Sequence, residues 1–154
     1  MTNDVGRMLA RGGWSSAEPT AAVYDPLSDP PGARALAGRL AEMARAMKPD
    51  VVVAWEDVGD AVLAFLVAED LGLPAVRAVD ADGLVEIGRV DEGAAAILVG
   101  AMFPMASPVL AVAAALEQLA GRLVGVVSLV DVGREPLPVP LRSLHVVPRE
   151  PDGG

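Results

Sequence analysis

Carboxylates are the most concentrated chemical resource in this sequence. Glu56, Asp57 and Asp60 stand together in Trp55-Glu56-Asp57-Val58-Gly59-Asp60, and hard cations such as Mg²⁺ or Ca²⁺ prefer clustered carboxylate oxygens. The same spacing suits a plainer use, in which Asp57 caps the following helix and Asp60 complements its dipole in the first turn. Asp80 and Asp82 with Gly83, and Asp91-Glu92-Gly93, have the composition of turns. His145 is the single histidine, set in an apolar run without an evident nucleophile to serve, and reads as structural. The chain has no cysteine, which excludes disulfides, thiolate zinc sites and cysteine nucleophiles, and one histidine excludes a multi-histidine metal centre. Nothing forms a nucleophile with its base or an acid–base pair, so no catalytic residue is assigned.

The elements that must position these groups follow from apolar spacing. The chain has 154 residues, 53% of them hydrophobic, enough for one domain with a substantial core. Twelve basic residues against 21 acidic ones give a net charge of −9 without a dense basic run, which argues against nucleic acid or an anionic membrane as partner. Residues Gly93 to Leu116 carry no charge and are long enough to span a bilayer. Gly100, Pro104, Ser107 and Pro108 interrupt them, however, and no basic flank marks an interface. A strand Ala95-Val99, a turn Gly100-Ala106 and a helix to about Ala120, with Ser107 as cap and Pro108 at its first position, fit better. No basic-then-apolar leader opens the sequence, so a cytoplasmic location is expected.

Residues Met1 to about Thr20 read as a flexible arm, 21–147 as the domain, and Pro148-Gly154 as a disordered tail. Leu36, Leu40, Met43 and Met47 recur at helical spacing, predicting an amphipathic helix over Gly32-Lys48. Strands are predicted at Val51-Trp55, Ala75-Val79, Leu84-Val90, Leu123-Val130 and Leu144-Val147, and a helix at Gly59-Leu71 ending on Gly72 and Pro74. Alternating strands and helices predict an α/β fold, a mostly parallel sheet flanked by helices in a Rossmann-like single domain. Ligands in such folds sit at the carboxyl ends of the strands.

The order helix, Pro49-Asp50-Val51-Val52-Val53, acidic-Gly turn, helix, Leu71-Gly72-Leu73-Pro74, strand, hairpin, Gly93-x-x-Ile97-Leu98-Val99, turn, helix, Gly125-Val126-Val127-x-Leu129-Val130-Asp131 resembles the type I phosphoribosyltransferases, the orotate type above all. Tyr24-Asp25-Pro26-Leu27-Ser28-Asp29-Pro30 is similar to the segment before their first helix, so the likeness spans about residues 20–147. The resemblance implies two carboxylates directly after the strand at Ile97-Val99, holding the ribose hydroxyls of phosphoribosyl pyrophosphate (PRPP). It also implies amides and hydroxyls at the next helix start, cradling the 5′-phosphate.

The loops depart from that pattern. Gly100 and Ala101 stand in the carboxylate positions, and the phosphate turn reads Pro104-Met105-Ala106-Ser107-Pro108, where the prolines lack amide donors and only Ser107 offers a hydroxyl. The loop that would meet pyrophosphate, Trp55, Glu56, Asp57 and Gly59 with Asp60, brings three carboxylates towards a polyanion. At an effective dielectric of about 20, each costs ~3 kcal/mol at ~5 Å from a phosphate charge unless a cation intervenes. The expected basic pair is reduced to Arg77 beside Ala78, and Lys48 maps to no catalytic role.

A degenerate PRPP loop of Gly100, Ala101, Met102, Phe103, Met105 and Ser107 therefore implies a changed client. Its apolar residues, with Trp55, suit adaptable contacts or simply fill the crevice as core. The leading expectation is a pseudoenzyme derived from nucleotide metabolism, acting as a binding, regulatory or partner subunit, in a homodimer or with another protein. Two alternatives stand beside it: a divergent active transferase that uses PRPP, a nucleobase and Mg²⁺ near Glu56, Asp57 and Asp60, and an unrelated Rossmann-like domain binding an apolar small molecule. No nucleic acid and no membrane are expected as partners, and no cofactor or metal is assigned unless the active reading holds.

Overall fold

Apolar residues alternating at period two set the two faces of a central sheet. The computed structural model describes residues 2–20, 22–133 and 135–148. The strands are β1 (Val51–Trp55), β2 (Ala75–Ala81), β3 (Leu84–Ile87), β4 (Ala95–Gly100), β5 (Arg122–Asp131) and β6 (Leu141–Val146), and the helices α1 (Thr2–Arg11), α2 (Pro30–Arg45), α3 (Val58–Leu71) and α4 (Ser107–Gln118). The sheet order is β3-β2-β1-β4-β5-β6, parallel throughout except for the antiparallel β2–β3 hairpin. The predicted mostly parallel α/β sheet is thus present.

Val52, Ala54, Ile97, Val99, Val127 and Leu129 face one core, packed under residues of α1, α2 and α3, while Val51, Val53, Ala96, Leu98 and Val126 face a second core under α4. β4 is fully buried because helices cover both of its faces. α2 begins at Pro30, earlier than the sequence suggested, because the Asp29 carboxylate accepts from the Gly32 amide and two prolines occupy the first turn. α3 ends at Gly72, whose φ of +69° supplies the left-handed turn that a Cβ would strain. Ser128, buried in β5, donates to the Val130 carbonyl and shares a 2.6 Å hydrogen bond with Ser143 of β6.

Two expectations are corrected. Residues 2–20 are not a loose arm: Val5, Met8, Leu9 and Trp14 are buried in the helical-face core, and His145 packs edge-on against Trp14 with ring centroids 5.3 Å apart. Three polar residues opening the chain masked an amphipathic helix whose apolar positions recur at Val5, Met8 and Leu9. Ser107 does not cap α4. Ala106 holds the cap position without a side-chain bond, and Ser107 is the helix's first residue, facing solvent. The expected tail lies outside the described residues from 149 onward. Among the described residues, no helix is long and apolar enough to cross a membrane, in keeping with the division of 93–116 into β4 and α4.

Leu9→Ala is expected to lower unfolding free energy by about 2–5 kcal/mol in urea titrations, the usual cost of emptying a buried leucine site. A loose arm would leave the midpoint unchanged.

Candidate functional site

The chain enters the sheet at β1, crosses through α3 to β2 on one side, and later crosses through α4 from β4 to β5 on the other. The two crossovers diverge between β1 and β4, and such a switch point opens a crevice at the strands' carboxyl ends. The residues around it are Trp55-Asp60, Gly100-Ser107 and the segment after β5. The parallel pairing of β4 with β5 brings that last segment alongside the end of β4.

Asp60 enters this crevice from the first turn of α3. Its Oδ1 accepts from the Ala101 amide at 2.9 Å. A Cβ built on Gly100 would come 3.1 Å from its Oδ2 and 2.7 Å from the tip of the Phe103 ring, so Gly100 is the residue that lets both groups close over the strand end. Burial pushes the Asp60 carboxyl up to about 6; the Ala101 amide pulls the other way, and the negative Asp57 adds to the rise. A carboxylate therefore stands at Gly100-Ala101 after all, delivered by a helix 41 residues earlier.

A second carboxylate lies on the start of α4. Glu135, beyond β5, accepts through Oε2 from the Ala106 amide at 2.8 Å. The first turn of a helix has free amides and a positive dipole end, so this bond is charge-assisted and short for an N–H···O contact. Sequence reasoning missed Glu135. Nothing in Glu135-Pro136-Leu137-Pro138 marks it, but a residue just beyond β5 must lie near the loop that follows its parallel neighbour β4.

The acidic loop after β1 spreads apart. Asp57 caps α3 by accepting from the Asp60 amide at 3.2 Å, while Glu56 turns to the hairpin and accepts from the Asp80 amide at 3.1 Å. The Glu56 carbonyl accepts from Arg77 at 3.0 Å, Ala78 is buried in β2, and Asp80 accepts from the Gly83 amide within its turn. Glu56, Asp57 and Asp60 therefore serve three different amides. Among the described residues, no group of three His, Cys, Asp or Glu side chains could hold a metal ion, so these carboxylates do not fit a Mg²⁺ held by protein ligands.

The apolar candidates also divide. Met102 packs towards the core under α1–α3, Trp55 and Phe103 towards the core under α4, and Met105 is exposed. They do not form one continuous apolar cleft. An open cleft of about 560 Å³ lies at the opposite strand ends, beside Asp50, Pro74 and Arg89-Ala94.

The fold has close counterparts among solved structures. Adenine phosphoribosyltransferase from Thermoanaerobacter pseudethanolicus superposes with a TM-score of 0.73 at 16% identity, covering 95% of this chain and 99% of that one. The Saccharomyces cerevisiae enzyme, solved with an imino-altritol bisphosphate and adenine, gives 0.73 at 18% identity over 94% and 99%. Leishmania donovani UMP synthase gives 0.72 at 12% identity, over 95% of this chain and 36% of that larger one. No family model and no curated protein matches the sequence. The chain has the type I phosphoribosyltransferase fold.

Asp60 supplies a pH test. A folded value above the unfolded one means that the native state binds more protons between about pH 4 and 6, so stability falls as pH rises through that window. Asp60→Asn keeps an acceptor for Ala101 and removes the buried charge. It is expected to stabilise the protein by about 1–2 kcal/mol at neutral pH, after allowing for the lost helix-dipole contribution, with the gain fading towards pH 4 in thermal melts. A gain that stays constant with pH would contradict the assignment.

Proposed function

We propose that this protein is a phosphoribosyltransferase-fold subunit without transferase activity, working by binding, regulation or pairing with another protein. The observation that supports this reading is that the chain's own carboxylates lie on the amides a sugar phosphate would need. The resemblance places the 5′-phosphate cradle at the turn before α4, and the Trypanosoma brucei adenine phosphoribosyltransferase has been solved with AMP, pyrophosphate and ribose-5-phosphate, all phosphate-bearing. Here Glu135 accepts from Ala106 in that turn, and Pro104 and Pro108 beside it donate no amide.

An incoming phosphate has to displace that carboxylate, giving up a charge-assisted hydrogen bond of about 1.5–3 kcal/mol. It also has to approach Asp60, Asp57 and Glu56 without an opposing basic side chain from the turn itself. The phosphate meets repulsion where the enzymes' ligands meet donors. Asp60 and Glu135 each spend one carboxylate oxygen on a backbone amide of the chain, Ala101 and Ala106 respectively.

One observation favours a second reading, a divergent active transferase. Asp60 restores a carboxylate at the end of β4, where the resemblance places the groups that hold ribose hydroxyls. On that reading Mg²⁺ arrives with the pyrophosphate group of the donor, because Glu56, Asp57 and Asp60 do not gather around one ion. The apolar-ligand reading has less support, because Trp55 and Phe103 pack into the core under α4.

The assay that separates these readings is pyrophosphate release from PRPP with Mg²⁺ and a panel of nucleobases that includes adenine and orotate. The expected result is no release above a protein-free blank. Turnover that is lost in Asp60→Asn would overturn the proposal and establish the second reading.

A further inference from the structure

An apolar trough runs between α2 and α3. Leu63, Ala64, Val67 and Ala68 turn one face of α3 into the core, and the opposite face of a surface helix should then be polar. Instead Val58 is 66% exposed and Phe65 61%, with half-buried Val62 and Leu66 beside them. Spacings of three and four residues set the four on one stripe. Val62 and Leu66 form one wall of a groove of about 410 Å³, and Pro26, Leu27, Pro30 and Pro31 form the other. A second groove of about 280 Å³ adjoins it at Arg34 and Leu66 and carries the trough past Gly38 to Asp70. From Val58 to Asp70 the trough follows about 18 Å of helix. A contiguous apolar surface of that extent is the mark of a contact site rather than of scattered exposure.

We propose that this trough seats an amphipathic helix of another protein, apolar on one face and basic at the end that meets the short turn Pro26–Ser28. The walls come from α2 and α3, whose backbone groups are bonded within each helix, so an extended peptide finds no ladder to join. A helix brings its own backbone bonds and offers apolar anchors at i, i+3, i+4 and i+7. Charge supplies the second argument. Asp25 and Asp57 are both exposed where the Pro26–Ser28 turn packs on the start of α3, a Cβ built on Gly59 coming 3.3 Å from Pro26. Neither belongs to an ion pair among the described residues. At the far end Arg34 pairs with Glu69 at 2.7 Å and Arg45 with Asp70 at 3.7 Å, so charge cancels there. The trough is negative at one end and neutral at the other. The same face of a second copy offers only cations already paired, or the same two carboxylates, to Asp25 and Asp57. A Lys or Arg on a different protein meets them without that conflict. The inference goes beyond the reading above in naming a class of partner, and it does not use the strand-end crevice. Docking and pyrophosphate release can each fail while the other stands.

Two fluorescein-labelled peptides of about 16 residues, long enough to form a helix, provide the test. Both carry the same leucine face; one has lysine and the other glutamate at its polar positions. In fluorescence anisotropy with the full chain at low salt, the lysine peptide is expected to bind saturably and one to one, and the glutamate peptide about tenfold or more weakly. Phe65→Ser is expected to weaken the lysine peptide about tenfold or more with an unchanged circular dichroism spectrum, and Leu110→Ser, exposed on α4, to leave it unaffected. Asp57→Asn, which keeps an acceptor at the cap of α3, is expected to weaken it about threefold at low salt and not at high salt. If Phe65→Ser misfolds, Leu27→Ser, at a site 62% exposed, takes its place. The proposal is overturned by no saturable binding of the lysine peptide, by equal binding of the two peptides, or by binding that the folded Phe65→Ser or Leu27→Ser variant leaves intact. It is also overturned if sedimentation velocity shows a wild-type dimer that Phe65→Ser dissociates, because a second copy then holds the trough.

Discussion

Two backbone amides and the carboxylates that occupy them define the character of this molecule. Ala101 closes β4 and Ala106 opens α4; each donates to an acidic side chain from a distant segment, Asp60 and Glu135 respectively. Free amides at a strand end and a helix start are the means by which this kind of fold attracts anions. Once the chain supplies its own anion, the same geometry becomes a fastening: α3 is tied to β4, and the segment after β5 is tied to α4. Both amides hold the protein to itself.

The two ties differ in cost. Glu135 remains exposed, so its charge stays close to water and its bond to Ala106 is made at little desolvation penalty. Asp60 is substantially buried, and its raised pKa records the price of keeping a charge there beside Asp57. A buried carboxylate with one amide partner and a like-charged neighbour is a strained arrangement at neutral pH. Gly100 permits it by leaving room for both Asp60 and the folded-back ring of Phe103.

Much of the architecture was legible because it rests on strong local signals. The runs at Val51-Trp55 and Ala95-Val99, the Gly72-Pro74 stop and the Asp80-Gly83 turn each carry their own instruction, and the sheet follows from their order. The resemblance carried by that order also agrees with the solved structures of the same fold. Asp57 was legible as a cap for the same reason. Helix α1 was not, because its polar opening resembles an unanchored end, and its packing of Val5, Met8 and Leu9 against the rest of the core shows only in the fold. Asp60 was noticed as an acid, but which amide it would serve depends on how α3 and β4 approach each other. Glu135 carried no signal at all, since its partner lies 29 residues away and the contact arises from the parallel register of β4 and β5.

The most direct measurement of the central claim is a two-dimensional ¹H–¹⁵N correlation spectrum of labelled protein, followed on the Ala101 and Ala106 amides as Mg²⁺ and PRPP are added. With Asp60 and Glu135 seated on those amides, both resonances are expected to hold their positions through a saturating excess. Progressive, saturable movement of the two signals together would show that the sugar donor displaces the carboxylates, and would contradict the account.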